Sequence, residues 1–271
     1  DLCILGTGGT MPMPDRALAS LYARVNGRAL LIDCGEGTQL ALHRHHVNPM
    51  RIDVVALSHY HGDHIGALIH ILNNYDITIK NLYFEFPTDQ ALIAQYGDED
   101  NKYLEWFYEA LENNASKVKN IVKPEKGDVI RYTGLEMRVL NNSLFGEGMK
   151  YVNNSSVVYK AVTSDESVLF LGDMGDYGMT LLQDAYFKSE IETCTVIQMA
   201  HHGNSDLLGS FYDNIKEIKV ALFPCLAWVF NNDAGTGFNS GTMTTVKTRQ
   251  YLESRGVTIM LTQVNGTIEL L

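Results

Sequence analysis

Residues 54–68 read V-V-A-L-S-H-Y-H-G-D-H-I-G-A-L, and no other stretch constrains the chain as strongly. Residues 54–58 form a short apolar run, too short for a helix and β-branched at its start, which predicts a buried strand. His59, His61, Asp63 and His64 follow at once, four metal-capable side chains within six residues. In extended backbone, His59 and His61 point to the same side. Asp63 and His64 fall on the turn that opens the next element, the helix expected over I-G-A-L-I-H-I-L. Imidazole nitrogens and a carboxylate suit zinc, iron or manganese. The plainer reading is a solvated histidine-rich loop, but the flanking strand and helix give this loop a fixed position.

Two further strands are expected to end in the same residue types. V-L-F-L-G-D at 168–173 is a buried strand that ends in Asp173, and the apolar run 195–200 leads into His201-His202-Gly203. Taken singly, Asp173 could be a helix cap and the histidine pair a turn. Three strands that all end in His/Asp clusters point to one metal or acid–base site instead. Asp176, three residues past Asp173, reads as a loop residue. The cluster at 43–46 (H-R-H-H) ends a helix expected over 37–46, where basic groups complement the helix dipole, so we do not read it as a ligand set.

The H-x-H-x-D-H string resembles the signature of the metallo-β-lactamase fold superfamily. The resemblance implies an α/β (α+β) fold, a four-layer αββα sandwich, with a two-metal site where the two sheets meet. It implies that His59 and His61 serve metal 1, that Asp63 and His64 serve metal 2, and that Asp173 bridges them. The opening G-T-G-G-T (6–10), D-C-G-E-G-T-Q (33–39) and H-Y-H-G-D-H (59–64) together look like ribonuclease Z-type members. In that family an aspartate at the Asp33 position supports the metal site from behind the ligands; the plainer role for Asp33 is a turn. Later, V-N-N-S-S-V-V-Y (152–159), L-F-L-G-D and A-H-H-G resemble the metallo-hydrolase domain of bacterial DNA-uptake channel proteins and their relatives, choline-phosphate esterases included.

Many superfamily members supply a third histidine to metal 1, yet no histidine occurs here between His70 and His201. Asn153 or Asn154 then takes its place, as a weak ligand or a substrate contact. At the second histidine pair, His201 is the first residue past a buried strand, and adjacent side chains in extended backbone point apart. That assigns His201 to metal 2 and His202 to the substrate side, where it is a candidate catalytic proton donor; Asp63 is the other candidate catalytic residue.

The chain has 271 residues, 45% of them hydrophobic, which suffices for a large core. No linker-like stretch interrupts it, so a single domain over 1–271 is expected. No run of 18 apolar residues exists, and no transmembrane segment is expected. The sequence opens on Asp1 rather than Met, which suggests that the native N-terminus is missing. Cys3, Cys34, Cys194 and Cys225 are widely spaced, and the first three lie in apolar, strand-like settings that predict buried free thiols. This favours a reducing, cytoplasmic compartment. The aromatic residues at 103 and 106–108 read as core.

The expected function is a metal-dependent hydrolase, in which two divalent cations, zinc with manganese or iron as alternatives, share a hydroxide. A phosphodiester or other phosphoester is the expected substrate. The net charge of −11 disfavours long nucleic acid, which is held through Lys and Arg, and favours a small or capped ester. The alternatives are a carboxylic ester, thioester or lactam substrate, or a metal-stabilised binding module whose metal-1 site has decayed.

Overall fold

Short apolar runs separated by glycine and asparagine build two sheets. The computed structural model describes residues 2–8, 17–18, 20–25, 28–44, 46–96, 101–132, 134–145, 151–207, 209–261 and 268–270. The expected turns at 26–27 and 265–266, the helix break at 97–100, His45 and part of the 6–10 loop lie outside these residues.

The first sheet opens with β1 (Leu2–Gly8), β2 (Ala17–Leu18), β3 (Ser20–Val25) and β4 (Arg28–Ile32). It continues through β5 (Ile52–Ala56), β6 (Ile79–Tyr83) and β7 (Val118–Val122). The second sheet holds β8 (Val129–Tyr132), β9 (Leu135–Val139), β10 (Tyr159–Val162), β11 (Ser167–Phe170), β12 (Val196–Gln198), β13 (Val220–Phe223) and β14 (Thr258–Leu261). The last strand, β15 (Ile268–Leu270), returns to pair antiparallel with β1. The strand orders are β15-β1-β3-β4-β5-β6-β7, with β2 beside β1, and β14-β13-β12-β11-β10-β9-β8.

Each sheet has a parallel half, β4 to β7 in the first and β11 to β14 in the second. Parallel strands need crossovers, and helices supply many of them. Among the described residues, α1 (Thr38–Arg44), α2 (Gly62–Asn74), α3 (Gln90–Tyr96) and α4 (Asn101–Asn113) belong to the first half of the chain. The short α5 (Asp176–Thr180), then α6 (Ala185–Glu192), α7 (Gly209–Tyr212), α8 (Ala227–Phe230) and α9 (Thr245–Ser254) belong to the second.

Three apolar clusters fill the spaces between layers. Between the sheets lie Leu21, Leu30, Val54, Met137, Tyr159, Phe170 and Leu222. The outer face of the first sheet packs on α2 and α4 through Leu68, Ile71, Leu104 and Phe107. That of the second packs on α6 and α9 through Phe187, Ile191 and Leu252. Strands covered on both faces read as continuous apolar runs, as 168–171 and 196–197 do. The result is the four-layer αββα architecture. No described helix is long and apolar enough to cross a membrane.

The strand expected over 54–58 runs instead over Ile52–Ala56. Its ladder stops because a side chain takes over: the Ser58 amide donates to Oδ1 of Asp33 at 2.7 Å. Likewise β12 ends at Gln198, and residues 200–203 form a tight turn rather than further strand. Of the aromatic group on α4, Phe107 is fully buried as expected, Trp106 is half exposed, and the Tyr103 ring covers Gly62 beside the histidine string. Cys34, Cys194 and Cys225 are buried free thiols.

Candidate metal centre

Side chains meet where parallel strands end. In the first sheet β4 and β5 are neighbours, so Asp33 and the 57–61 segment emerge side by side; the Asp33 amide still donates to Ala56 O at 2.9 Å. In the second sheet β11 and β12 are neighbours, so Asp173 emerges beside the histidine pair, and the His201 amide donates to Gly172 O at 3.0 Å. The two edges are tied by the Val157 amide on Ser58 O at 2.9 Å and by the Tyr159 hydroxyl on Leu57 O at 2.9 Å. A crevice at the carboxyl ends of parallel strands is the usual place for a site in an open α/β sheet.

Two donor groups converge there. His59, His61 and Asp173 present ligand-capable atoms within 4.8 Å of one another, and so do Asp63, His64, Asp173 and His202. Asp173 is common to both. Its Oδ1 is 3.1 Å from His64 Nε2; its Oδ2 is 3.5 Å from His202 Nε2 and 3.9 Å from His59 Nε2.

His202, not His201, joins the second group. His202 Nε2 lies 3.0 Å from Asp63 Oδ2, and its side chain is 5% exposed. His201 Nε2 is 3.8 Å from Asp173 Oδ2, and its side chain is 31% exposed. This reverses the expected placement of the pair. The reason is backbone: both residues adopt left-handed conformations, with φ of 48° and 55°, so the alternation of extended chain does not apply.

Asp33 sits behind the donors. Its Oδ2 is 2.8 Å from His64 Nδ1, which turns His64 Nε2 toward Asp63 and Asp173. The two asparagines separate cleanly. Asn154 Oδ1 accepts the amides of Gly175 (2.9 Å) and Gly178 (3.3 Å), so it pins the start of α5 and is not available to a cation. Asn153 Oδ1 is buried without a hydrogen-bond partner. Asp176 begins α5, its amide on Asp206.

Ser58 and Ser156, to which the sequence pattern assigns no role, also reach the site. Ser58 Oγ donates to Asp33 Oδ2 at 2.9 Å, and Ser156 Oγ accepts the Asp173 amide at 3.1 Å. The position of Ser58, immediately before His59 at the strand end, is the sequence signal that marks one of them.

The charge balance suits a cation. Burial alone would raise Asp63 and Asp173, but His64 and His202 outweigh it and hold both carboxyls well below the usual range. Burial depresses His64, yet Asp173, Asp33 and Asp63 hold it well above an ordinary histidine. Against the same burial, Asp173 and Asp63 push His202 up to about 9. His59 goes the other way, lowered by burial and then by His64 and His61. The pocket therefore calls for positive charge. His64 Nε2 and Asp173 Oδ1 face each other at 3.1 Å, and His59 Nε2 is buried without a hydrogen-bond partner, a cost that a cation ligated there would remove. Imidazole and carboxylate donors are the set that zinc, manganese and iron take.

The αββα fold and the His/Asp cluster at the strand ends agree with the family comparison, in which residues 14–227 match the Metallo-beta-lactamase superfamily model. The chain belongs to that superfamily. A ribonuclease Z of Lachnoclostridium phytofermentans is 53% identical over 68 residues, 25% of this chain and 22% of that protein. A ribonuclease Z of Clostridium perfringens is 34% identical over 132 residues, 48% of this chain and 42% of that protein. The chain thus spans less than half the length of these curated relatives. Among solved structures, the metallo-beta-lactamase fold protein YhfI from Bacillus subtilis superposes with a TM-score of 0.58 at 13% identity, covering 96% of this chain and 94% of that one.

Proposed function

We propose that the chain is a metal-dependent hydrolase of phosphoester bonds. The observation that carries this reading is the convergence of two donor groups on one carboxylate, Asp173. In it, His59, His61 and Asp173 hold one cation, with Asn153 as a weak oxygen donor in place of a third histidine. Asp63, His64, Asp173 and His202 hold a second. Zinc is the leading metal, and the poorer nitrogen set of the first position leaves room for manganese or iron. Bound there, the cations would polarise a phosphoryl oxygen and acidify a water.

The protein's own groups have separate tasks. Asp33 and the carboxylates orient the imidazoles. His202 belongs with the ligands, so the substrate-side role passes to His201, the more exposed of the pair, as a hydrogen-bond or proton donor to the leaving group. Asp63 remains a ligand, with its Oδ2 3.0 Å from His202 Nε2.

The ribonuclease Z relatives favour an RNA phosphodiester, whereas the net charge of −11 favours a small or capped ester. The test is metal analysis of the purified protein, followed by hydrolysis of bis(p-nitrophenyl) phosphate and of a short RNA with zinc or manganese added. Two metals per chain and metal-dependent cleavage of either substrate support the reading; RNA cleavage alone selects the second substrate. One metal per chain with neither substrate cleaved would make the chain a binding module.

A further inference from the structure

The hydroxyls around His59 decide where its ring proton sits. Two serine oxygens lie within reach of His59 Nδ1: Ser58 Oγ at 3.1 Å and Ser156 Oγ at 3.4 Å. Each hydroxyl has one proton to give and two lone pairs. The Ser58 proton goes to Oδ2 of Asp33 at 2.9 Å, a shorter bond to a charged acceptor. The Ser156 proton goes to the Asn153 carbonyl at 2.8 Å, which can only accept. Both serines therefore face His59 with lone pairs, and the proton between them must come from the imidazole.

We propose that Ser58 and Ser156 are positioning residues that hold His59 in the Nδ1–H form, so that its Nε2 lone pair is presented to the first cation position beside Asp173. His59 Nε2, buried with no partner and 3.9 Å from Asp173 Oδ2, is the atom so presented. Ser58 follows β5 of the first sheet and Ser156 precedes β10 of the second, and the two segments are joined by the Val157 amide on Ser58 O. Gly172 makes the approach possible. Its φ is 55°, and a Cβ there would stand 2.8 Å from Ser156 Oγ and 3.0 Å from Ser58 Cβ. Asp33 completes the arrangement, because its Oδ2 takes the Ser58 hydroxyl and lies 2.8 Å from His64 Nδ1. One carboxylate thus sets a histidine in each donor group, His64 directly and His59 through Ser58. Ser156 links the same ring to the backbone of Asn153. The consequence for metal binding rests on the proposed metal centre; the position of the proton does not.

Ring-nitrogen NMR of the metal-free protein tests the proton position, with His59→Gln to assign the signal. Wild type should carry the His59 proton on Nδ1, and the Ser58→Ala/Ser156→Ala double variant should show a mixture of both tautomers. Competition with a chromogenic zinc chelator should show affinity at one of two positions reduced about 10–100-fold in the double variant. Each single variant keeps one acceptor, should lose less, and carries the same comparison if the double variant does not fold. A wild-type His59 protonated on Nε2 overturns the inference. So does a folded double variant that retains the Nδ1 tautomer and wild-type affinity. A wild-type protein that binds no zinc would sink the metal-centre reading instead, while the ring spectra still decide the tautomer.

Discussion

His202 Nε2 lies 3.0 Å from Asp63 Oδ2, although 139 positions separate them in the chain. One comes from the turn after β12 and the other from the first turn of α2, so the contact exists only once the two sheets are stacked. It also divides the histidine pair, since His201 is left at the more exposed rim.

That division has a direct consequence in variants. His202→Ala should lose about one metal equivalent. His201→Ala should keep both and lose turnover by about 10²–10⁴-fold, the range of a general acid or base. Metal content by mass spectrometry of both purified proteins, with phosphodiester turnover, checks it; loss of metal from the His201 variant alone would restore the opposite assignment.

Asp173 is shared by both donor groups, so Asp173→Ala should remove most of the bound metal and nearly all activity. Asp176→Ala should leave metal content near wild type, because that residue starts α5, where its amide bonds to Asp206. Equal losses in the two variants would show that Asp173 does not bridge.

The asparagines should behave differently from one another. Asn153→His should tighten metal binding at the first position, since imidazole is a stronger ligand than a carboxamide. Asn154→Ala should leave metal content unchanged and destabilise the fold by about 1–3 kcal/mol, because two amides lose their acceptor. Chelator competition and denaturant melts separate the two effects.

Away from the site, Lys160 Nζ is buried and donates to Glu190 Oε2 at 3.2 Å and to Thr193 Oγ1 at 2.9 Å. Glu190 also pairs with Arg138 at 3.0 Å. Glu190→Ala leaves the ammonium buried without its carboxylate and should cost about 3–5 kcal/mol. Lys160→Met should cost less, because Glu190 keeps Arg138. Urea unfolding of both variants measures the difference.

Burial pushes the Cys194 and Cys225 thiols up to about 12 and raises Cys34 as well. A raised thiol pKa means little thiolate at neutral pH, and thiolate is the reactive form. At pH 8 the native protein should alkylate very slowly at these three positions, and urea should release all of them. Peptide mapping after iodoacetamide treatment reads the outcome.

Local pattern alone marks the places where donors leave the sheets. Apolar runs that stop at His59, Asp173 and His201 are recognisable because strands covered on both faces must be apolar throughout, and a polar residue signals their end. The spacing of His59, His61, Asp63 and His64 is equally local, since strand and helix periodicities set which way the side chains face. Past the strand ends, local pattern no longer decides. Whether His201 or His202 turns inward depends on two left-handed backbone conformations, and whether Asn153 or Asn154 is spent on structure depends on where the amides of Gly175 and Gly178 arrive. Ser58 and Ser156 read as ordinary strand residues until the sheets stack and bring both hydroxyls to one imidazole nitrogen. Residue identity sets what each side chain can donate or accept; only the packing of the two sheets sets which partner is close enough to receive it.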